Sequence, residues 1–184
     1  ILLFMKGHFS QFHPSRFTLG GHVYICAEQY MHEQKARLFG DVAMAERILK
    51  SDSPHKHKLM GGRVGGFDQV KWDANKVDIV TTGTRAKFGQ NAGLRRRLLD
   101  TRDAILAEAN PKDYIWGIGL SEDDPAAQDP ANWQGENLLG QILMAVRSEP
   151  HVVRELMGFC VGVLAAYARA VARRGCGVGI YDSH

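Results

Sequence analysis

The chain has 184 residues, 45% of them apolar and 23% charged, which is enough to build one core and excludes wholesale disorder. Its formal net charge of +3 is too small and too dispersed for a dedicated nucleic-acid binder, and the run Arg95, Arg96, Arg97 reads first as a solvated helix face. Cys26, Cys160 and Cys176 are odd in number and form no CxxC pair, so the sequence predicts neither a disulfide framework nor a zinc grip.

That cysteine usage fits a reducing, cytoplasmic setting. No basic segment leads into an apolar one with a cleavage site, so secretion is not expected, and the start at Ile1 reads as trimmed or incomplete. The first structural signal is Phe17 to Tyr24, where Gly20-Gly21 separates two short β-forming runs and both central positions can take positive φ, the mark of a two-residue hairpin. Ala27 to Phe39 then has no Gly or Pro, is rich in helix formers and stops at Gly40, so it predicts a helix. Asp41 can cap a second helix to about Lys50, and Ser53-Pro54 places an N-cap before a proline for a short third.

Glycines 61, 62, 65 and 66 surround Arg63-Val64. They lack the GxGxxG spacing of a phosphate cradle and follow no strand, so a helix end and turn is the better reading. From Asp68 to Phe88 a helical pattern resumes with Val70, Val77 and Ile79-Val80 near one stripe, weakened later by Gly83, and Ala92 to Leu99 reads as another helix. Ala104 to Leu106 and Tyr114 to Ile118 are β-capable, flank a turn at Asn110-Pro111, and are expected beside the hairpin. Residues 123–135 form a Pro- and Asp-containing loop before a helix from Asn137 to Arg147 with Leu138, Ile142 and Val146 inward.

Pro150 interrupts this helix. A further docking helix is expected from His151 to Arg174, its apolar stretch too short for the roughly 20 residues that span a bilayer, with a loose tail to His184. The expected fold is therefore α+β and predominantly α-helical, one compact domain over 1–149 with a small hairpin or sheet, and a helical extension over 150–184.

Three constellations carry possible chemistry. Glu28, His32 and Lys35 fall at i, i+4 and i+7 on one helix face, which is either a solvated ion-pair face or the wall of a cleft. In Asp113-Tyr114-Ile115-Trp116-Gly117 the acid is a turn cap and the indole a core ring, or else the glycines leave room for a flat ligand beside a proton-handling acid. Asn137, after Trp133-Gln134-Gly135-Glu136, either caps its helix or offers an amide to a ligand, and capping is the commoner use.

These pieces carry a resemblance. Phe9-Ser10-Gln11-Phe12, Ala27-Glu28-Gln29-Tyr30-Met31 with Lys35-Ala36, Ala86-Lys87-Phe88, Asp113 with Trp116-Gly117, and Gly135 to Gly140 with Leu143-Met144 and Arg147 resemble, in order and spacing, the motifs of the NADAR superfamily. Its members are also called YbiA-like or riboflavin-intermediate N-glycosidases, and the likeness runs from Phe4 to Arg147. It implies the YbiA-like fold and a hydrolase that strips the base from ribosylaminopyrimidine 5′-phosphates, leaving ribose 5-phosphate.

Some members of the superfamily are similar instead to enzymes that remove ADP-ribose from modified guanine in nucleic acid. The resemblance places Glu28 and Asp113 as catalytic acids and Trp116 at the base, with Trp72, Lys35, Asn137, Gly117, Phe9, Ser10 and Gln11 as substrate-binding positions; Arg16 joins them as a cation for the phosphate. Met5 follows Phe4 where an aromatic is usual, and Gln11 stands where some relatives have Asn; the first departure loosens one wall of the expected pocket.

Breaking a ribosyl C1′–N bond builds positive charge on the sugar, which a carboxylate can stabilise while activating water, and a second acid can protonate the leaving base. The expectation gives the first role to Glu28 and an orienting or donating role to Asp113, with exchange of parts open. The phosphate would need cations, for which Arg16, Lys35 and Arg63 are candidates. No cofactor and no metal are expected, since His55 and His57 lack further ligands at a recognisable spacing. The partner is then a small phosphorylated ribosyl molecule, or ADP-ribosylated nucleic acid, and no membrane. A silent module that binds NAD or ADP-ribose is the rival from another class.

Overall fold

The computed structural model describes residues 1–149; the helix expected from His151, the tail, Cys160 and Cys176 lie outside the described residues. The described part is α+β and mainly helical. Its strands are β1 (Leu2–Phe4), β2 (Phe17–Leu19), β3 (His22–Tyr24) and β4 (Leu106–Glu108), and its helices are α1 (Ala27–Leu38), α2 (Val42–Leu49), α3 (Pro54–Gly61), α4 (Gln69–Gln90), α5 (Ala92–Asp100) and α6 (Leu138–Arg147).

β2 and β3 form the expected antiparallel hairpin, with Phe17 opposite Tyr24, and Gly20 and Gly21 take φ of 55° and 80° at its turn. α1 ends as the sequence predicts, with Gly40 at φ 75°. Asp41 caps α2 by accepting from the Met44 N–H at 3.0 Å and also holds the Gly65 N–H at 2.8 Å. This closes the glycine-rich stretch as a turn after α3. Pro54 opens α3, but the Ser53 side chain makes no capping bond.

Gly83 does not weaken α4, which runs unbroken to Gln90. A Cβ there would come within 2.5 Å of the Tyr30 ring, so the glycine is what lets α1 and α4 pack closely. The stripe expected on α4 is only partly inward: Val80 is buried, but Val70 is 80% and Val77 40% exposed. On α6 the inward face is Leu139, Ile142, Leu143 and Val146, so Ile142 and Val146 behave as expected and Leu138 yields its place to Leu139.

The largest departure concerns the β-capable pieces. β4 begins two residues later than expected and pairs in parallel with β1, Leu2 against Leu106 and Phe4 against Glu108, leaving the hairpin as a separate sheet. Tyr114 to Ile118 forms no strand. Its carbonyls instead receive the N–H groups that open α6: Glu136 donates to Tyr114, Asn137 to Gly117, Leu138 to Ile115 and Leu139 to Trp116, at 2.9 to 3.1 Å. An irregular segment thereby satisfies the helix-start donors that have no partner within their own helix.

Three residues lock the helical layer. Gln29 on α1 accepts from the Ile25 N–H and donates to the carbonyls of Ile48, Leu49 and Ser51, fixing the end of α2. Arg147 on α6 donates to the Thr101 hydroxyl and the Ala104 carbonyl beyond α5. Glu33, wholly buried on α1, accepts from Tyr24 OH at 3.1 Å, from Gln34 Nε2 at 2.8 Å and from Arg37 Nε.

Candidate active site

The first turns of α1, the end of β4 and the loop behind it enclose a hollow of about 430 Å³. Glu28, Met31 and His32 come from α1, Lys58 from α3, Glu108 from the last position of β4, and Asp113 to Trp116 from the following loop. Gln11 and Phe12 close one side. The Gln11 carbonyl accepts the Glu28 N–H at 3.0 Å, so the loop after β1 and the start of α1 are tied together at the wall.

Glu28 is 4% exposed, and its Oε1 accepts from His32 Nε2 at 2.9 Å. Asp113 Oδ1 accepts the N–H groups of Ile115 and Trp116 at 3.1 and 2.8 Å, folding the loop into an Asx turn that sets the indole at the rim. The two expected acids therefore share one hollow, and Asp113 both lines it and shapes it. Trp116 is half-buried there, beside exposed Tyr114 and Ile115.

Glu108, which sequence reasoning missed, is the most perturbed acid of the site. Burial first, then the charges of Asp113 and Glu28, push its carboxyl up to about 7, against the opposing pull of Lys58. A lone glutamate ending a three-residue strand has no pattern of its own. The available signal was its place, five residues before Asp113 and just after a β-forming run.

Asn137 explains why Glu108 sits where it does. At φ 53° and 2% exposed, it neither caps α6 with its side chain nor lines the hollow. Its Oδ1 accepts the Glu108 N–H at 3.1 Å and its Nδ2 donates to the Leu106 carbonyl at 2.9 Å, so one amide acts as the missing neighbour strand of β4. Gly117 lies against the same backbone, where a Cβ would approach the Glu108 carbonyl to 2.8 Å.

Of the remaining expected positions, Gln11 lines the hollow and the others lie away from its wall. Phe9 packs on Phe4 and Phe88. Ser10 gives its carbonyl to the wholly buried Lys87 at 2.8 Å, and burial holds that lysine down to about 7. Lys35 and Trp72 sit together further along α1, with Lys35 Nζ 4.4 Å from the centre of the Phe67 ring and 5.3 Å from that of Trp72. Arg16 is exposed in a separate shallow depression beside Asp52 and Asn91, and Arg63 is exposed. The cations on the hollow itself are Lys58 and Lys112.

Cys26 lies buried 3.9 Å from His57 Nδ1, and burial pushes its thiol up to about 11, away from the nucleophilic thiolate. Among the described residues no group of three or more His, Cys, Asp and Glu is placed to hold a metal ion. Nor, among them, is any helix long and apolar enough to cross a membrane.

Known proteins resemble this chain over most of its length. An N-glycosidase of Acanthamoeba polyphaga mimivirus is 44% identical over 77% of this chain and 86% of its own length. A riboflavin biosynthesis protein of Vibrio vulnificus is 30% identical over 78% of this chain, which spans 35% of that longer protein. The NMR structure of the Escherichia coli protein YbiA superposes with a TM-score of 0.69 at 29% identity, covering 84% of this chain and 86% of that one. The class is that of the N-glycosidases, hydrolases acting on N-glycosyl compounds. Within it the chain belongs to the NADAR domain family, whose domain matches residues 4–150.

Proposed function

We propose that this N-glycosidase cleaves the ribosyl C1′–N bond of early riboflavin-biosynthesis intermediates, the ribosylaminopyrimidine 5′-phosphates, giving free base and ribose 5-phosphate. The observation that carries the reading is the convergence of three carboxyls and an indole on one hollow whose volume suits a small ligand. The riboflavin-related name of the Vibrio vulnificus relative supports the substrate class.

As the C1′–N bond lengthens, positive charge grows on the sugar, and Glu28 stabilises it and takes a proton from the attacking water. The water oxygen bonds to C1′. Glu108, which holds its proton near neutral pH, gives it to the departing nitrogen, so that base and sugar leave in balance. Asp113 holds the loop and the Trp116 ring, on which the pyrimidine stacks, and its charge helps keep Glu108 protonated. Lys58 and Lys112 attract the 5′-phosphate. The reaction belongs in the cytoplasm, where a free thiol such as buried Cys26 persists.

The test is release of free base from a ribosylaminopyrimidine phosphate, run in parallel with release of ADP-ribose from ADP-ribosylated guanine in DNA. Turnover of the first is expected, with a loss of about 10³-fold in Glu28→Gln at unchanged thermal stability. Turnover of the second alone would move the substrate class to nucleic acid. Binding of either without product would leave only a ligand-binding module, and a folded Glu28→Gln variant at full rate would remove Glu28 from the chemistry.

A further inference from the structure

His32 is 8% exposed, and its ring is held from two sides. On one side Nε2 meets Glu28 Oε1 at 2.9 Å. On the other the imidazole lies against Gly61, the last residue of α3, where any Cβ would overlap the ring. Gly61 has no positive φ, so it serves here by being small and not by bending the chain. Nδ1, pressed on that side, is the one buried side-chain nitrogen or oxygen without a hydrogen-bond partner among the described residues.

These facts bear on where the ring proton sits. A proton on Nδ1 would be a buried donor with nothing to receive it, whereas a proton on Nε2 points straight at Glu28. A bare Nδ1 against the glycine is the less costly arrangement.

We infer that His32 is a positioning residue for Glu28, seated in a notch that only glycine at 61 leaves open, and that its Nε2–H occupies one carboxylate oxygen and leaves the other for water and the sugar. The inference rests on the reading of Glu28 as the water-activating carboxylate. It adds a cause for the orientation of Glu28: without the donor, the side chain is free to rotate within the hollow. A plain i,i+4 helix staple would have the same geometry but no effect on turnover.

The experiment uses the full chain and the variants His32→Gln, His32→Leu and Gly61→Ala. Gln keeps an N–H of similar reach and should retain kcat within about fivefold, while Leu fills the space without a donor and should lower kcat about 30-fold with KM within about twofold, the signature of lost orientation. Gly61→Ala, which displaces the ring, should lower kcat about tenfold at unchanged KM. Wild-type kcat in folded His32→Leu, or equal losses in Gln and Leu, overturns the inference.

A substrate-free measurement separates this from the proposed reaction. Long-range proton–nitrogen NMR correlations of the wild-type protein should show His32 with its proton on Nε2 and a bare Nδ1. A proton on Nδ1 overturns the inference, whatever the enzyme hydrolyses. If the wild type turns over neither ribosyl substrate, the proposed reaction fails and the positioning role with it, while a proton on Nε2 still shows that His32 donates to Glu28.

Discussion

Helix α1 carries two buried glutamates five residues apart, and their surroundings are opposite. Glu33, on the hairpin side, accepts from a phenol, an amide and a guanidinium. Glu28, on the other side, accepts from His32 and faces a hollow that it shares with two further acids. A carboxylate surrounded by donors is a structural part, because both of its oxygens already have a use. One with a free edge beside a cavity still has something to accept, which is what catalysis requires.

The sharpest way to break this contrast is to remove each charge in turn. Glu28→Gln should cost about 10³ in turnover, or roughly 4 kcal/mol of transition-state stabilisation, with the melting temperature unchanged. Next, Glu108→Gln should lower kcat about 100-fold, since the amide cannot deliver a proton to the leaving base. It should also alter the pH dependence of stability.

Glu108 titrates higher in the fold than in the unfolded chain, so between about 4.5 and 7 the folded state binds more protons. Wild-type stability should therefore fall as pH rises through that window, and denaturant titrations should show a flatter curve for the Gln variant. An unchanged slope would mean that Glu108 titrates alike in the folded and the unfolded chain. Glu33→Ala should do the reverse of Glu28→Gln: about 2 kcal/mol less stability in denaturant unfolding, since Tyr24 and Arg37 lose their acceptor, with kcat per folded molecule preserved. The smallest effect is expected from Tyr24→Phe, about 1 kcal/mol of stability and no change in rate.

Much of the helical frame was legible because its signals are local. Gly20-Gly21, Gly40, Asp41 and Pro54 each state a turn or an end within a few residues, and the structure places those boundaries within a residue or two. The errors fall where distant segments decide. Tyr114 to Ile118 has the composition of a strand, but the donors it meets are those of a helix start, so it stays irregular. Gly83 looks like a helix fault until Tyr30 is packed against it.

The site divides along the same line. Glu28, Asp113, Trp116 and Gln11 were found from motif likeness and do line the hollow. Glu108 owes its place to Asn137, which no spacing rule connects to it, whereas the i, i+4 pairing of Glu28 with His32 was legible and only the seat of the ring against Gly61 was not. Asn137 was read as a cap or a ligand because those uses are commonest for asparagine after a loop, whereas its left-handed backbone turns the amide toward β4.

The parallel pairing of β1 with β4 has a consequence for the order of assembly. Glu108 is held on one flank by residues more than a hundred positions upstream and on the other by an amide that leaves the ribosome nearly thirty positions later. Closing contacts of such separation comes late and slowly in folding compared with winding the helices. A nascent chain can therefore have α1 and its neighbours in place while the acidic wall is still missing, and with Glu108 as the proton donor proposed above, enzymatic competence would arrive last and be the first property to go when the edge of that sheet opens.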